Sequence, residues 1–165
     1  MISKKMVAAI NDQIKAEFDS AFIYLGMSAY FEDSDLPGMA HWMRKQYEEE
    51  VEHAEKFMDH LYERGATVKI QEVAKPKEKY DGPLDVFKET LKHEQHVTAL
   101  IHKLMDLAVE EKDYATQSML QWFIDEQVEE EASVTAIIKS LELLGGSGGI
   151  YMLDRELGRR SGDDD

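Results

Sequence analysis

Four glutamates and one histidine of this sequence stand where long amphipathic helices ordinarily carry apolar side chains. Glu17 continues a seam of Ile10 and Ile14 and is followed on it by Ala21 and Tyr24. Glu50 and His53 interrupt a seam of Met39, Met43, Gln46, Phe57 and Leu61. Glu94 lies on a seam of Phe87, Leu91, Thr98, Ile101 and Met105, and Glu130 on one of Leu120, Phe123, Gln127, Val134, Ile137, Leu141 and Leu144. Steps alternating between three and four residues hold each set on one helical face. Glu50 and His53 are separated by about 60° around the helix, so both can address one point, and Gln127 with Glu130 repeats that geometry.

A single glutamate on a charged helix is ordinarily exposed, because Glu is seldom buried. Its recurrence on every seam calls for a different account. A buried salt-bridge network would need cations, yet no Lys or Arg occupies these seam positions, and none occurs from Asp113 to Ile138. Converged carboxylates without a cation would repel one another and take up protons. Two divalent metal ions would balance the four carboxylates. A donor set of carboxylate oxygens with one imidazole suits iron or manganese, and differs from a thiolate zinc site or an all-oxygen calcium loop. Carboxylates that can bridge two iron ions favour the ferric state. The chemistry implied is oxidation of paired Fe(II) by dioxygen or hydrogen peroxide.

Positioning these groups requires four long helices, and the punctuation of the chain supplies them. Prolines occur only at 37, 76 and 83, and with the glycine clusters they divide the sequence into helical segments expected at 5–34, 38–64, 84–112 and 114–144. Gly65 and Gly145 are suited to close helices, Pro83 to open one and Asp113 to cap one. Short first and third connections make two antiparallel hairpins. Residues 66–83, with Pro76, Tyr80 and Gly82, are long enough when extended to run the ~40 Å length of a helix, so the second and third helices should be parallel. Each seam glutamate falls near the middle of its helix, which brings all four to one level. The expected architecture is an all-α four-helix bundle with one long crossover, comprising one domain over 1–160. A glycine joint at 145–149 precedes a short fifth helix, Ile150 to Leu157, too short to be stable alone in water. A symmetry-related copy of itself is the expected partner, with packing onto its own bundle as the alternative. Residues 161–165 are expected to be disordered.

Asp and Glu number 34 against 19 Lys and Arg, giving a formal charge of −15 that disfavours nucleic acid and anionic membrane partners. The absence of cysteine excludes disulfides, thiolate zinc and iron–sulfur ligation. No apolar signal core or membrane-length stretch is present, so a cytoplasmic protein is expected.

The segments AHWMRKQYEEEVEHAEKFMDHLYERGA and WFIDEQVEEE closely resemble bacterial-type non-haem ferritins, and the resemblance spans essentially residues 1–160. It implies an iron-storage protein with ferroxidase activity, assembled as a hollow 24-mer shell. It further implies that Glu17, Glu50 and His53 hold one iron and that Glu50, Glu94 and Glu130 hold the other, with Glu50 bridging. Gln127 would be a hydrogen-bonding neighbour, and Glu49, Glu126 and Glu129 would form a third iron site shared with Glu130. Two departures separate the chain from bacterioferritins: Gln127-Val128-Glu129-Glu130 replaces a second Glu-x-x-His motif, and Val51 stands where a haem-ligating methionine would be. No haem is expected.

Tyr24, two turns beyond Glu17, could place its hydroxyl on a ligand such as Glu94, in a supporting or one-electron role or simply as a core tyrosine. Trp122 reads as packing. His93 and His96 fall off the seam and read as solvated surface residues. A discrete di-iron peroxidase related to rubrerythrin and a non-catalytic helical adaptor are the competing functions. The missing cysteines and the fifth helix weigh against the first of these.

Overall fold

The computed structural model describes residues 1–161 as five helices and their connections. The helices are α1 (Lys4–Asp33), α2 (Pro37–Glu63), α3 (Pro83–Glu110), α4 (Tyr114–Leu144) and α5 (Gly146–Leu157). Local sequence sets their ends. Ser3 caps α1 by accepting from the Met6 amide, and Asp113 caps α4 by accepting from Thr116. Pro37 and Pro83 occupy first-turn positions of α2 and α3, where no amide hydrogen is needed. Gly65 follows α2 with φ +66°, a left-handed conformation that costs glycine little.

The α1–α2 and α3–α4 hairpins pack side by side with antiparallel neighbours. Ser3 at the start of α1 donates to Glu111 just beyond α3, while Phe31 near the end of α1 meets Phe87 near the start of α3. Phe57 likewise stacks on Phe123 at 4.1 Å, joining late α2 to early α4. Residues 64–82 form the expected crossover, and it rides along α1. The Lys69 amide donates to Asn11 at 2.6 Å, the Ala74 amide donates to Asp19 at 2.8 Å, Pro76 closes on Gly26, and Tyr80 meets Tyr30 edge-on. A Cβ at Gly26 would stand 3.0 Å from the Pro76 ring, which explains the small residue there.

Two apolar clusters fill the bundle. One contains Met27, Phe31, Met39, Trp42, Met43, Phe87 and Val134; the other contains Met6, Ile10, Ile14, Phe57, Leu61, Ile101, Leu120 and Phe123. Between them lies a polar layer at mid-helix. The seams of α1 and α2 are buried throughout, as expected. On α3 the buried stripe includes Val97 and Leu104, whereas Leu91, Thr98 and Met105 are half-buried, and on α4 Leu144 is exposed.

The C-terminal region departs from expectation. The segment read as a glycine joint is largely helical, since α5 begins at Gly146. The helix also finds its partner within its own chain, against α2 and α4. Leu153 is buried in the first cluster, and Asp154 accepts from the Met39 amide at 2.8 Å, supplying α2 with the cap that Leu36 cannot provide. Gly38 permits this approach, as a Cβ there would lie 1.7 Å from the Asp154 carbonyl oxygen. Part of the apolar face of α5 is therefore covered by its own subunit, the alternative given above. Tyr151 and Met152 nevertheless remain exposed. Most of the tail expected to be disordered, 162–165, lies outside the described residues.

Candidate metal centre

Each helix of the bundle contributes to the polar layer: Glu17 from α1, Glu50 and His53 from α2, Glu94 from α3, and Gln127 and Glu130 from α4, all buried. Ligand atoms of Glu17, Glu50 and His53 lie within 4.8 Å of one another, close enough to share one cation. Glu94 and Glu130 fall outside that tight group but remain within the layer, where their charges act on Glu50.

Glutamines and one tyrosine hold these carboxylates. Gln13 donates to Glu17 at 2.8 Å, and Gln46 donates to Glu130 at 2.8 Å. The Tyr24 hydroxyl donates to Oε1 of Glu94, while Gln127 donates to Oε2 of the same carboxylate at 3.1 Å. A Glu50 oxygen lies 3.3 Å from Nδ1 of His53. Oε2 of Glu17 is buried with no hydrogen-bond partner, the one such side-chain atom found among the described residues. Buried polar atoms are ordinarily satisfied, so an oxygen of this kind beside Glu50 and His53 is suited to be a cation ligand.

The electrostatics agree with that fit. Burial, followed by the charge of Glu50, pushes the Glu17 carboxyl well above the usual range. Glu50 is raised by burial and by Glu94 and Glu130. Burial also raises Glu94, although hydrogen bonds from Tyr24 and Gln127 oppose it. Glu130 is pushed up to about 8 by burial and Glu94, and the Tyr24 hydroxyl is raised by burial and the same carboxylate. Without a cation the layer favours protons; a multivalent metal would supply the missing positive charge.

A groove of about 1030 Å³ between α2 and α4 leads to His53 and is lined by Glu49, Glu126 and Glu129. Glu49 and Glu126 are half-buried and Glu129 is exposed. These three therefore form the wall outside the layer rather than part of its interior. Trp122 stands at the same wall, edge-on to His53 at 5.4 Å, with the Lys56 ammonium 3.6 Å above its ring.

His93 is not the solvated residue expected from its position off the seam. Its Nε2 and the Ser20 hydroxyl share a 2.8 Å hydrogen bond, and its ring meets Tyr24 edge-on. Burial, and then His96, lowers its pKa to about 4. Half-burial against α1 arises because the face of α3 that meets α1 is wider than one seam. His96 is exposed. The supporting roles of Gln13 and Gln46 were absent from the sequence reading, although both stand one helical turn before a seam carboxylate. Arg160, which pairs with Glu49 on α2, has no counterpart in the sequence reading, because nothing local marks a tail residue for contact with that helix.

Four helices with one long crossover, and inward carboxylates with a histidine at mid-bundle, define the ferritin-like class of helical bundle. The ferritin-like domain family matches residues 7–144, and the chain belongs to the ferritin family. It is 43% identical over 160 residues to a bacterial non-heme ferritin of Bacteroides fragilis, covering 97% of this chain and all of that one. It is 38% identical over 166 residues to the bacterial non-heme ferritin of Staphylococcus aureus, with both chains covered completely. Among solved structures, an open pore ferritin from the hyperthermophilic archaeon Archaeoglobus fulgidus superposes with a TM-score of 0.96 at 46% identity, covering 98% of this chain and 100% of that chain.

Proposed function

We propose that this protein stores iron: it takes up Fe(II), oxidises it within the carboxylate layer and retains the ferric product inside a shell built from copies of the chain. Iron is the substrate and cargo. The observation that carries this reading is the unpartnered buried oxygen of Glu17 within the group that Glu50 and His53 complete. Full-length similarity to bacterial non-heme ferritins supports iron as the metal.

Glu17, Glu50 and His53 would hold one Fe(II), and Glu94 and Glu130 would hold a second across Glu50. The hard, anionic oxygens favour Fe(III) over Fe(II), which drives loss of one electron from each ion to dioxygen or hydrogen peroxide. Gln127 and Tyr24 orient Glu94, and the apolar clusters on either side keep the layer shielded from bulk water. Glu49, Glu126 and Glu129, with Glu130, would take a third ion on the groove side. The shell is expected to contain 24 subunits, as a cytoplasmic particle. No helix among the described residues is long and apolar enough to cross a membrane.

Stopped-flow absorbance of ferric product tests the assignment. Glu50→Ala and His53→Ala should retain helical content and particle mass but lose rapid oxidation, by more than about 100-fold, the upper range for loss of a supporting group around a metal. Wild-type rates in both variants would overturn it, and a monomeric wild-type particle would overturn the storage shell.

A further inference from the structure

The groove-side wall of the layer already contains a cation belonging to the protein itself. Arg160, three residues past α5, directs Nη2 to both oxygens of Glu49 at 2.8 Å each. Its Nη1 donates to Oε1 of Gln46, whose amide nitrogen donates onward to Oε2 of Glu130 at 2.8 Å. The guanidinium lies 4.8 Å above the Trp42 ring, and its backbone carbonyl accepts from Nε2 of His41 at 2.8 Å. Side-chain exposure is 15% for Arg160 and 20% for Glu49, so the pair is screened from solvent far more than an ordinary surface salt bridge. The C-terminal segment is thereby tied through one side chain to Glu49 and, through Gln46, to Glu130.

We propose that Arg160 is a positioning residue and an intramolecular competitor for the third metal position: its guanidinium holds Glu49 and aligns Gln46 until a metal ion displaces it. This rests on the proposed reading of Glu49, Glu126 and Glu129, with Glu130, as a third Fe(II) position beside the carboxylate layer. The carboxylate oxygens of Glu49, both contacted by Nη2 of Arg160, cannot serve the guanidinium and a metal ion fully at the same time, so the two cations exclude each other there. Exclusion of this kind is reciprocal: Arg160 weakens the outer ion, and the outer ion loosens the C-terminal segment by the same factor. Arginine suits the task because its planar fork spans a carboxylate and an amide oxygen together, which the point charge of lysine does not.

Anaerobic Fe(II) titration of the assembled protein reads this competition. In Arg160→Ala the weakest ion per subunit should bind on the order of tenfold more tightly, within the usual range of coupled sites, and Glu49→Gln in that background should abolish the gain. Arg160→Lys should fall between Arg160→Ala and wild type, and it keeps a charge on the segment if alanine loosens α5. Hydrogen exchange at residues 150–161 should speed up when Fe(II) saturates wild type and should be insensitive to Fe(II) in Arg160→Ala. An isotherm of Arg160→Ala that coincides with wild type, or a gain that survives Glu49→Gln, would overturn the proposal. Failure of the underlying functional reading is distinguished by wild-type Fe(II) oxidation that does not depend on Glu50.

Discussion

The two hairpins hold their carboxylates in different ways. The α1–α2 hairpin brings Glu17, Glu50 and His53 to within 4.8 Å by itself and leaves one Glu17 oxygen without a partner. On the α3–α4 hairpin, both oxygens of Glu94 are taken by Tyr24 and Gln127, and Glu130 is held by Gln46. Tyr24 and Gln46 come from the other hairpin. One side is thus poised for a cation through unsatisfied charge, whereas the other is kept in position by neutral donors that a cation would have to rearrange or share. The first ion should therefore bind to the α1–α2 side.

The largest expected effect comes from breaking that asymmetry directly. His53→Ala should lower Fe(II) oxidation by more than about 100-fold, whereas Tyr24→Phe and Gln127→Ala, which only loosen Glu94, should cost about 10- to 100-fold each. Single-turnover kinetics would show the order. Equal losses for all three would remove the distinction between a poised side and a supported side.

A smaller effect is expected from pH in metal-free protein. The folded-state pKa values of Glu17, Glu50, Glu94 and Glu130 are raised above those of an unfolded chain, Glu130 to about 8. The folded form consequently binds more protons than the unfolded form between roughly pH 4.5 and 8, and its stability falls as pH rises through that window. Melting temperature in excess chelator should decrease from about pH 6.5 to pH 8, above the range in which His93, lowered to about 4, acts in the opposite sense, and metal ions should reverse the decrease at the upper end. A flat metal-free profile would mean that the layer carries no charge penalty.

The smallest effect concerns α5 rather than the layer. Asp154→Ala removes the cap that α5 provides to α2 and should cost about 1 kcal/mol, read as a lower melting temperature with particle mass preserved. Truncation from Ile150 onward should be worse for the isolated subunit than for Asp154→Ala, because Leu153 is withdrawn from the core as well.

Much of this arrangement was legible because helices are periodic. Residues Glu17, Glu50, His53, Glu94 and Glu130 declare themselves by standing on helical seams that are otherwise mostly apolar, and the crossover declares itself by length and Pro76. What escaped depends on contacts between distant elements. His93 is half-buried because α1 covers a second face of α3, and Asp154 caps an amide 115 residues away, a relation with no local signature. Gly38 is an odd residue near a helix start, and only the packed α5 shows what its small size makes room for.

The crossover that rides along α1 has a consequence for how the protein is made. Residues 1–63 contain the complete α1–α2 hairpin and with it the group of Glu17, Glu50 and His53, before any of α3 has left the ribosome. Hairpins of local contacts close early, whereas joining elements across a long connection is slow. The second set of carboxylates arrives only when the 64–82 strap has laid itself against α1 and delivered α3 to the far end. On that order the layer is completed by a docking step, and the half made first is the one that contains the candidate metal group of Glu17, Glu50 and His53.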